Sequence, residues 1–95
     1  MTLEELYEII EDRKKKMPEN SYVASLFKKG KDRIIQKIGE ESTEVMIAAK
    51  NESKKRLISE VADLLFHLLV LLSSNEIKLK DVFLELRKRR INSRK

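Results

Sequence analysis

The chain has 95 residues, a formal net charge of +5, no cysteine and a single histidine. This length allows one domain, and the residue content excludes disulfides, thiolate metal sites and a histidine-rich zinc site. Charged residues make up 39% of the chain and hydrophobic residues 41%, which is typical of a soluble helical protein inside the cell. The N-terminus lacks the basic segment of a secretory signal, and the apolar run 64–72 is too short to span a bilayer. We therefore expect a cytoplasmic protein without a membrane partner.

The first two predicted helices are short and have clear end signals. A capping-box pattern, Thr-x-x-Glu, starts at Thr2, and the helix that follows is predicted to run to about Lys16. Ser21 can cap a second helix, and Gly30 is placed to end it.

Two long helices and a last shorter one follow. The long helices are predicted over about 32–50 and 54–73, with Ser53 able to cap the second of them. A last helix is predicted over about 79–90, and residues 91–95 are expected to form a flexible tail. The sequence shows no strand alternation, internal repeat or low-complexity segment.

The run 64–72 bears on the oligomeric state. It is apolar around nearly its whole circumference, interrupted only by His67, which indicates burial on all sides. Four or five helices of one chain can hardly surround it. We therefore predict an all-α bundle of four to five helices that is completed by homodimerisation, with a higher assembly possible.

Four acidic residues occupy matched positions on the two long helices. If these helices are antiparallel and joined near residue 52, Glu41 faces Asp63 and Glu44 faces Glu60. All four lie on or beside apolar seams, where a surface helix does not ordinarily carry acids. Four like charges do not converge unless they are protonated or bridged by a cation. The register therefore predicts a divalent-metal site, the alternative being two acidic helix faces paired with lysines such as Lys37.

The donor atoms indicate the metal. Hard oxygen ligands without softer donors favour Mg²⁺, with Mn²⁺ as a possible substitute, and Mg²⁺ sites commonly act on phosphate groups. A helical di-iron site would require Glu-x-x-His on two helices, whereas His67 follows Asp63 by four residues. Residues 21–39 and 64–95 carry the excess of positive charge, which suits a polyanionic substrate but also fits solvated helix faces.

The segments around these acids resemble phosphoribosyl-ATP pyrophosphohydrolase, a family of the all-α nucleotide pyrophosphatases that also include MazG-like and dimeric dUTPase proteins. The acidic pairs alone mark only the superfamily. The resemblance to the narrower family is carried by Lys-Ile-Gly-Glu-Glu-Ser-Thr-Glu-Val at 37–45 and Glu-Val-Ala-Asp-Leu-Leu-Phe-His-Leu at 60–68. It continues through Ser-Tyr-Val at 21–23 and Lys-Gly-Lys at 29–31, and covers residues 3–90.

The resemblance implies hydrolysis of phosphoribosyl-ATP to phosphoribosyl-AMP and pyrophosphate, the second step of histidine biosynthesis. It also implies a Mg²⁺-dependent cytoplasmic homodimer. In many organisms the domain is fused to a cyclohydrolase with essential cysteines, so a cysteine-free chain of this length is expected to be the stand-alone form, a single domain over 1–95. The implied metal ligands are Glu41, Glu44, Glu60 and Asp63, of which the first two are also candidate catalytic residues.

Other residues are weaker candidates for the same site. Glu40 could orient the attacking water or accept its proton, but it could equally be a solvent-facing acid. Lys37 could reach a phosphate or form a salt bridge with the acidic cluster, and Lys31 could bind phosphate or belong to a solvated basic loop. Ser21 and Tyr22 could contact the nucleotide, although Ser21 could also act only as a helix cap.

Two further residues carry structural expectations. His67 is predicted to hydrogen-bond Asp63 or a backbone carbonyl rather than to bind a metal. Gly39 lies within a predicted helix, where glycine costs about 1 kcal/mol relative to alanine, so that close backbone packing is expected there.

Three other functions fit parts of the sequence. A MazG-like, house-cleaning pyrophosphatase acting on another nucleoside triphosphate would share the acidic pairs. The basic segment 87–90 suggests a nucleic-acid binder, but it lacks interleaved aromatic residues, so no nucleic-acid partner is expected. A purely structural dimerisation bundle would leave the inward-facing acids unexplained.

Overall fold

A computed structural model describes residues 1–51 and 53–92, which form five α-helices and contain no strand. This confirms the predicted all-α class, and the helix boundaries agree with the predicted ones within about two residues. The helices are α1 (Leu3–Lys16), α2 (Tyr22–Lys29), α3 (Lys31–Lys50), α4 (Lys54–Ser74) and α5 (Leu79–Asn92).

The predicted caps begin the helices. Thr2 and Glu5 form the capping box through reciprocal side chain to backbone hydrogen bonds of 3.0 and 2.7 Å. Ser21 and Ser53 each accept a hydrogen bond from a backbone N–H in the first turn of α2 and α4, respectively. Local sequence therefore determines where these three helices begin.

The last helix extends beyond its predicted end. α5 runs to Asn92, so the helix includes two residues of the segment 91–95 for which the sequence predicts a flexible tail. Residues 93–95 lie outside the described residues, and a tail there stays a prediction.

α3 and α4 form a helical hairpin that is the most extensively packed helix pair of the chain. α1 packs against α4, and α2 packs against both α1 and α3. The centre of the core holds four fully buried apolar side chains from four helices: Ile10, Leu26, Ile34 and Val70. The core lies towards the C-terminal half of α4, which leaves the N-terminal half of α4 paired mainly with α3.

A polar contact holds α1 against the end of α4. The hydroxyl of the fully buried Ser73 donates to the carboxylate of Glu11, and the Nζ atom of Lys14 donates to the Ser73 carbonyl at 2.6 Å. The hydroxyl of Tyr7 donates to the backbone carbonyl of Ile77 at 2.5 Å. Burial, reinforced by the charge of Glu11, raises the pKa of Tyr7.

α4 is not covered on all sides by its own chain, as the sequence predicts for a bundle of only five helices. Ile58, Val61, Leu65 and Leu68 lie on one exposed face of its N-terminal two thirds. We call these four residues the α4 stripe. By length and composition alone, α4 could cross a membrane, a criterion that the central helix of a water-soluble bundle also meets.

The two glycines have opposite roles. Gly30 ends α2 and precedes α3 with φ +103° and ψ 176°, a conformation that is essentially restricted to glycine. Gly39 lies within α3, and a Cβ atom added there would meet nothing within 4 Å in the described part of the chain. The expected close packing at Gly39 is therefore wrong for the described chain, because helical position does not reveal what lies opposite a residue.

Alanine substitution should separate these two roles. We expect Gly30→Ala to lower the free energy of unfolding by about 1–3 kcal/mol, because alanine must adopt a strained backbone conformation. Gly39→Ala should instead raise it by up to about 1 kcal/mol through helix propensity. Urea denaturation of both variants at one protein concentration measures the difference. A loss of stability in Gly39→Ala would contradict the open space seen at this position.

Candidate metal centre

Three of the four predicted metal ligands lie together between α3 and α4. One carboxylate oxygen from each of Glu41, Glu60 and Asp63 lies within 4.8 Å of the others. We call these three residues the carboxylate trio. The side chains of Glu41 and Glu60 are only 12% and 17% exposed, so two of the carboxylates are largely withdrawn from water.

The hairpin explains why these acids meet. Glu41 lies on the α3 face that carries Ile34 and Ala48, which are buried, and this face packs against α4. Glu60 and Asp63 lie one turn apart on α4, before the helix enters the core. The trio therefore forms within a single chain, at the partly covered end of the α3–α4 interface.

Glu44 lies beside the trio rather than within it. Its Oε2 atom is 3.0 Å from Nη2 of Arg56, whose Nε atom is 3.7 Å from Oε2 of Glu60. Arg56 thus connects the carboxylates of Glu44 and Glu60, which the predicted register places opposite each other. Glu44 as a fourth metal ligand stays a prediction.

Lysine and arginine side chains also contact the α3 acids. Nζ of Lys37 lies 3.7 Å from Oε2 of Glu41 and 3.4 Å from Oε1 of Glu40. Nη1 of Arg33 lies 3.4 Å from Oε2 of Glu40. The salt bridge considered for Lys37 is therefore present. Glu40 lies outside the trio, and its role towards water stays a prediction.

The ion pairs do not neutralise the acidic cluster. Glu41, Glu44, Glu60 and Asp63 carry four negative charges, whereas Lys37 and Arg56 supply two positive charges. A formal charge of −2 therefore remains among the described residues, which equals in size the charge of one divalent cation. Partly buried carboxylates that lack counter-charges favour such a cation.

The single histidine forms a hydrogen bond with the backbone of Asp63. Nδ1 of His67 lies 2.7 Å from the backbone carbonyl of Asp63, and Nε2 lies 3.0 Å from the hydroxyl of Tyr22. Because a carbonyl only accepts, Nδ1 carries a proton, and in the neutral imidazole Nε2 then accepts from the Tyr22 hydroxyl. This confirms the prediction that His67 bonds a backbone carbonyl, and its buried ring is committed to these two partners.

Tyr22 connects this hydrogen-bond chain to an aromatic surface. Its ring stacks on Phe66 with centroids 6.0 Å apart, yet the residue remains 51% exposed. Ser21 precedes it as the cap of α2, and Lys31 is exposed at the first position of α3. Substrate binding by Ser21, Tyr22 and Lys31 stays a prediction.

Sequence reasoning missed two contacts of this site. Arg56 lies four residues before Glu60, a spacing that signals an ion pair on one helix face, but the reach to Glu44 depends on its side-chain conformation. No sequence signal pairs Tyr22 with His67, because the two residues lie on helices distant along the chain.

The donor set fits a hard divalent cation. The trio offers only carboxylate oxygens, which suit Mg²⁺ or Mn²⁺ and not a metal that prefers thiolate or imidazole. Glu41, Glu60 and Asp63 are the residues that would hold it, with Glu44 adjacent.

Comparison with known proteins shows the family to which the chain is similar. The family model described as phosphoribosyl-ATP pyrophosphohydrolase matches residues 3–90. Relatives named phosphoribosyl-ATP pyrophosphatase include one from Clostridium novyi (strain NT), 53% identical over 88 residues that cover 93% of this chain and 80% of the relative. One from Geobacter sulfurreducens is 54% identical, covering 92% and 81%, and one from Haloarcula marismortui is 49% identical, covering 93% and 92%.

Proposed function

The chain belongs to the phosphoribosyl-ATP pyrophosphohydrolase family, and we propose that its α3–α4 carboxylates hydrolyse phosphoribosyl-ATP to phosphoribosyl-AMP and pyrophosphate with Mg²⁺ as cofactor. Mn²⁺ is the expected substitute. The observation that carries the proposal is that carboxylate oxygens of Glu41, Glu60 and Asp63 lie within 4.8 Å of one another. An aromatic surface and several lysine and arginine side chains lie nearby.

The carboxylates have distinct tasks. Glu41, Glu60 and Asp63 would hold the cation, which when bound would supply Lewis-acid stabilisation of the phosphate oxygens and of the charge on the leaving pyrophosphate. The hydrogen bond from His67 to the Asp63 carbonyl fixes the α4 segment from which Asp63 and Glu60 project. The site is thus held by helices, which position side chains more precisely than loops do.

A carboxylate outside the trio is the candidate for orienting the attacking water and accepting its proton. Glu44 is 41% exposed, lies next to Glu60 through Arg56, and can receive a proton from a water that approaches from solvent. Glu40, which is paired with Arg33 and Lys37, is the second candidate for orienting that water.

Groups on α2 and α3 suit the rest of the substrate. The exposed ring of Tyr22, backed by Phe66, offers a stacking surface for the purine base. Lys37 and Lys31 are the candidate phosphate contacts, and Ser21 lies beside Tyr22 at the start of α2.

The enzyme is proposed to act as a homodimer. The Cα radius of gyration is 14.8 Å, whereas a compact domain of this length has about 12 Å. The α4 stripe is exposed, and Ile35 and Met46 form a second exposed apolar face on α3. A partner that covers both faces would bury apolar side chains that one chain leaves exposed. A cytoplasmic location and the absence of a membrane or nucleic-acid partner stay predictions.

A substrate comparison tests the function. We expect the protein to release pyrophosphate from phosphoribosyl-ATP in the presence of Mg²⁺, and chelation by EDTA should abolish the release. ATP, dUTP and dCTP, assayed at the same concentrations, should be poor substrates. Faster hydrolysis of one of these would favour a MazG-like enzyme, and release that persists in EDTA would contradict the metal role of the trio.

A further inference from the structure

We propose that Arg56 is a displaceable counter-ion: it pairs with Glu44 and Glu60 while the metal site is empty, competes with the divalent cation for Glu60, and turns to the substrate phosphates when the cation is bound. This inference rests on the proposed function, because it takes the carboxylate trio as the cation site. It assigns to Arg56 a binding role in the loaded enzyme.

The position of Arg56 connects the two helices at the site. Its guanidinium contacts Glu44 on α3 at 3.0 Å and Glu60 on α4 at 3.7 Å. Glu60 belongs to the trio and Glu44 lies beside it. A cation held by the trio and the guanidinium of Arg56 therefore compete for the carboxylate of Glu60.

The location of Arg56 on α4 is otherwise unfavourable. The first turn of α4 carries three cations, Lys54, Lys55 and Arg56, and no acid, whereas helix N-termini favour negative charge. Arg56 also precedes Glu60, the less favourable order for an ion pair within one helix. The neighbouring acidic cluster offsets these costs, because the positive charge of Arg56 lies where excess negative charge would otherwise remain.

The contacts are weak enough to exchange. Arg56 and Glu44 are each more than 40% exposed, and ion pairs of this kind contribute little net stability. A divalent cation carries twice the charge of the guanidinium and interacts correspondingly more strongly with the same carboxylates. Arg56 can therefore give up both partners without disturbing the packed helices.

Displacement leaves the guanidinium next to the reacting groups. Its fork of N–H donors matches phosphate oxygens geometrically, which a lysine does not achieve. The phosphates of a substrate bound through the trio would lie beside Glu60, which follows Arg56 by about one helical turn. Release of Arg56 also leaves Glu44 open to water, so the exchange prepares both phosphate binding and the proposed proton acceptor.

Metal binding without substrate tests the first step. Mn²⁺ titration followed by calorimetry, or by the electron paramagnetic resonance signal of free Mn²⁺, gives the dissociation constant of each variant. We expect Arg56→Gln to bind Mn²⁺ about three- to tenfold more tightly than the wild type, in line with the loss of two partly exposed ion pairs. Unchanged or weaker binding would overturn the inference.

Lys55→Gln is the matched control, because it removes one positive charge from the same helical turn. Lys55 forms no ion pair with the acidic cluster among the described residues. Its Mn²⁺ affinity should change less than twofold. An equal gain in both variants would mean that net charge, and not displacement of Arg56, controls the affinity, which would overturn the inference.

Substrate kinetics at saturating Mg²⁺ test the second step. Arg56→Gln should raise KM for phosphoribosyl-ATP at least fivefold with a smaller change in kcat, and Lys55→Gln should leave both within twofold. An unchanged KM would contradict phosphate binding by Arg56.

Asp63→Asn separates this inference from the proposed function. If Asp63→Asn binds Mn²⁺ as tightly as the wild type, the metal site is misassigned. If its Mn²⁺ binding is weakened, a failure of the Arg56 experiments counts against the role of Arg56 alone.

Discussion

Replacement of Asp63 by asparagine is expected to lower kcat/KM for phosphoribosyl-ATP by at least about 100-fold. The substitution keeps the shape of the side chain but removes one of the three carboxylate charges that converge within 4.8 Å. A hard divalent cation binds an amide more weakly than a carboxylate, so both Mn²⁺ affinity and turnover should fall. Initial rates at several Mg²⁺ concentrations measure the loss.

Stability should change in the opposite direction. With EDTA present, Asp63→Asn should raise the free energy of unfolding, since it relieves repulsion among like charges that the fold holds together. Asp81→Asn, an exposed aspartate in the first turn of α5, is the matched control and should leave activity within twofold. Retention of more than a tenth of wild-type activity in Asp63→Asn would contradict the role of the trio.

The sequence predicted most of the fold because the signals are local. The capping box at Thr2 and the caps at Ser21 and Ser53 begin helices where they were expected, and Gly30 separates α2 from α3. Each of these effects depends on residues within about one turn, so that tertiary packing does not need to be known.

The core of the candidate site was predictable from register. Two helices joined by a short turn are antiparallel, and their periodicity then brings Glu41 near Glu60 and Asp63. The family came from resemblance, and the match over 3–90 confirms it, whereas the reaction of this chain is proposed from that membership. The spacing of the acids indicates a cation site and a phosphate-containing substrate, but it carries no information about the base or the sugar of that substrate.

The remaining contacts depend on side-chain conformation and on which surfaces meet. Helical periodicity gives the direction of Glu44, but not that Arg56 reaches across from α4 to bind it. It places Gly39 on a helix face without stating what lies opposite, and the predicted packing there was wrong. The contact of Tyr22 with His67 arises only after α2 docks beside α4.

The second large effect concerns the α4 stripe. Leu68→Glu is expected to convert the proposed homodimer into a monomer, because a charge would be buried within an apolar interface in both copies. Leu68 is 36% exposed in one chain, so the apolar burial that is lost amounts to only about 0.5–1 kcal/mol per copy. The cost of burying a charge in each copy adds to this, so the dimer dissociation constant should rise by at least about 100-fold. Sedimentation velocity across a range of protein concentrations measures the change.

Ile9→Glu is the matched control for that substitution. Ile9 on α1 is 37% exposed and Leu68 is 36% exposed, so the two changes introduce the same charge at apolar positions of equal exposure. Only the Leu68 variant should become monomeric. A dimeric Leu68→Glu variant would show that the α4 stripe is not the interface, and a monomeric Ile9→Glu variant would place α1 within it.

The monomeric variant also shows how much of the site one chain supplies. Glu41, Glu60 and Asp63 come from one hairpin, held together by the α3–α4 contacts of a single chain. Leu68→Glu should therefore keep Mn²⁺ binding within about threefold of the wild type even after it dissociates. Loss of binding on dissociation, with helicity retained by circular dichroism, would mean that the trio needs the second copy to hold its cation.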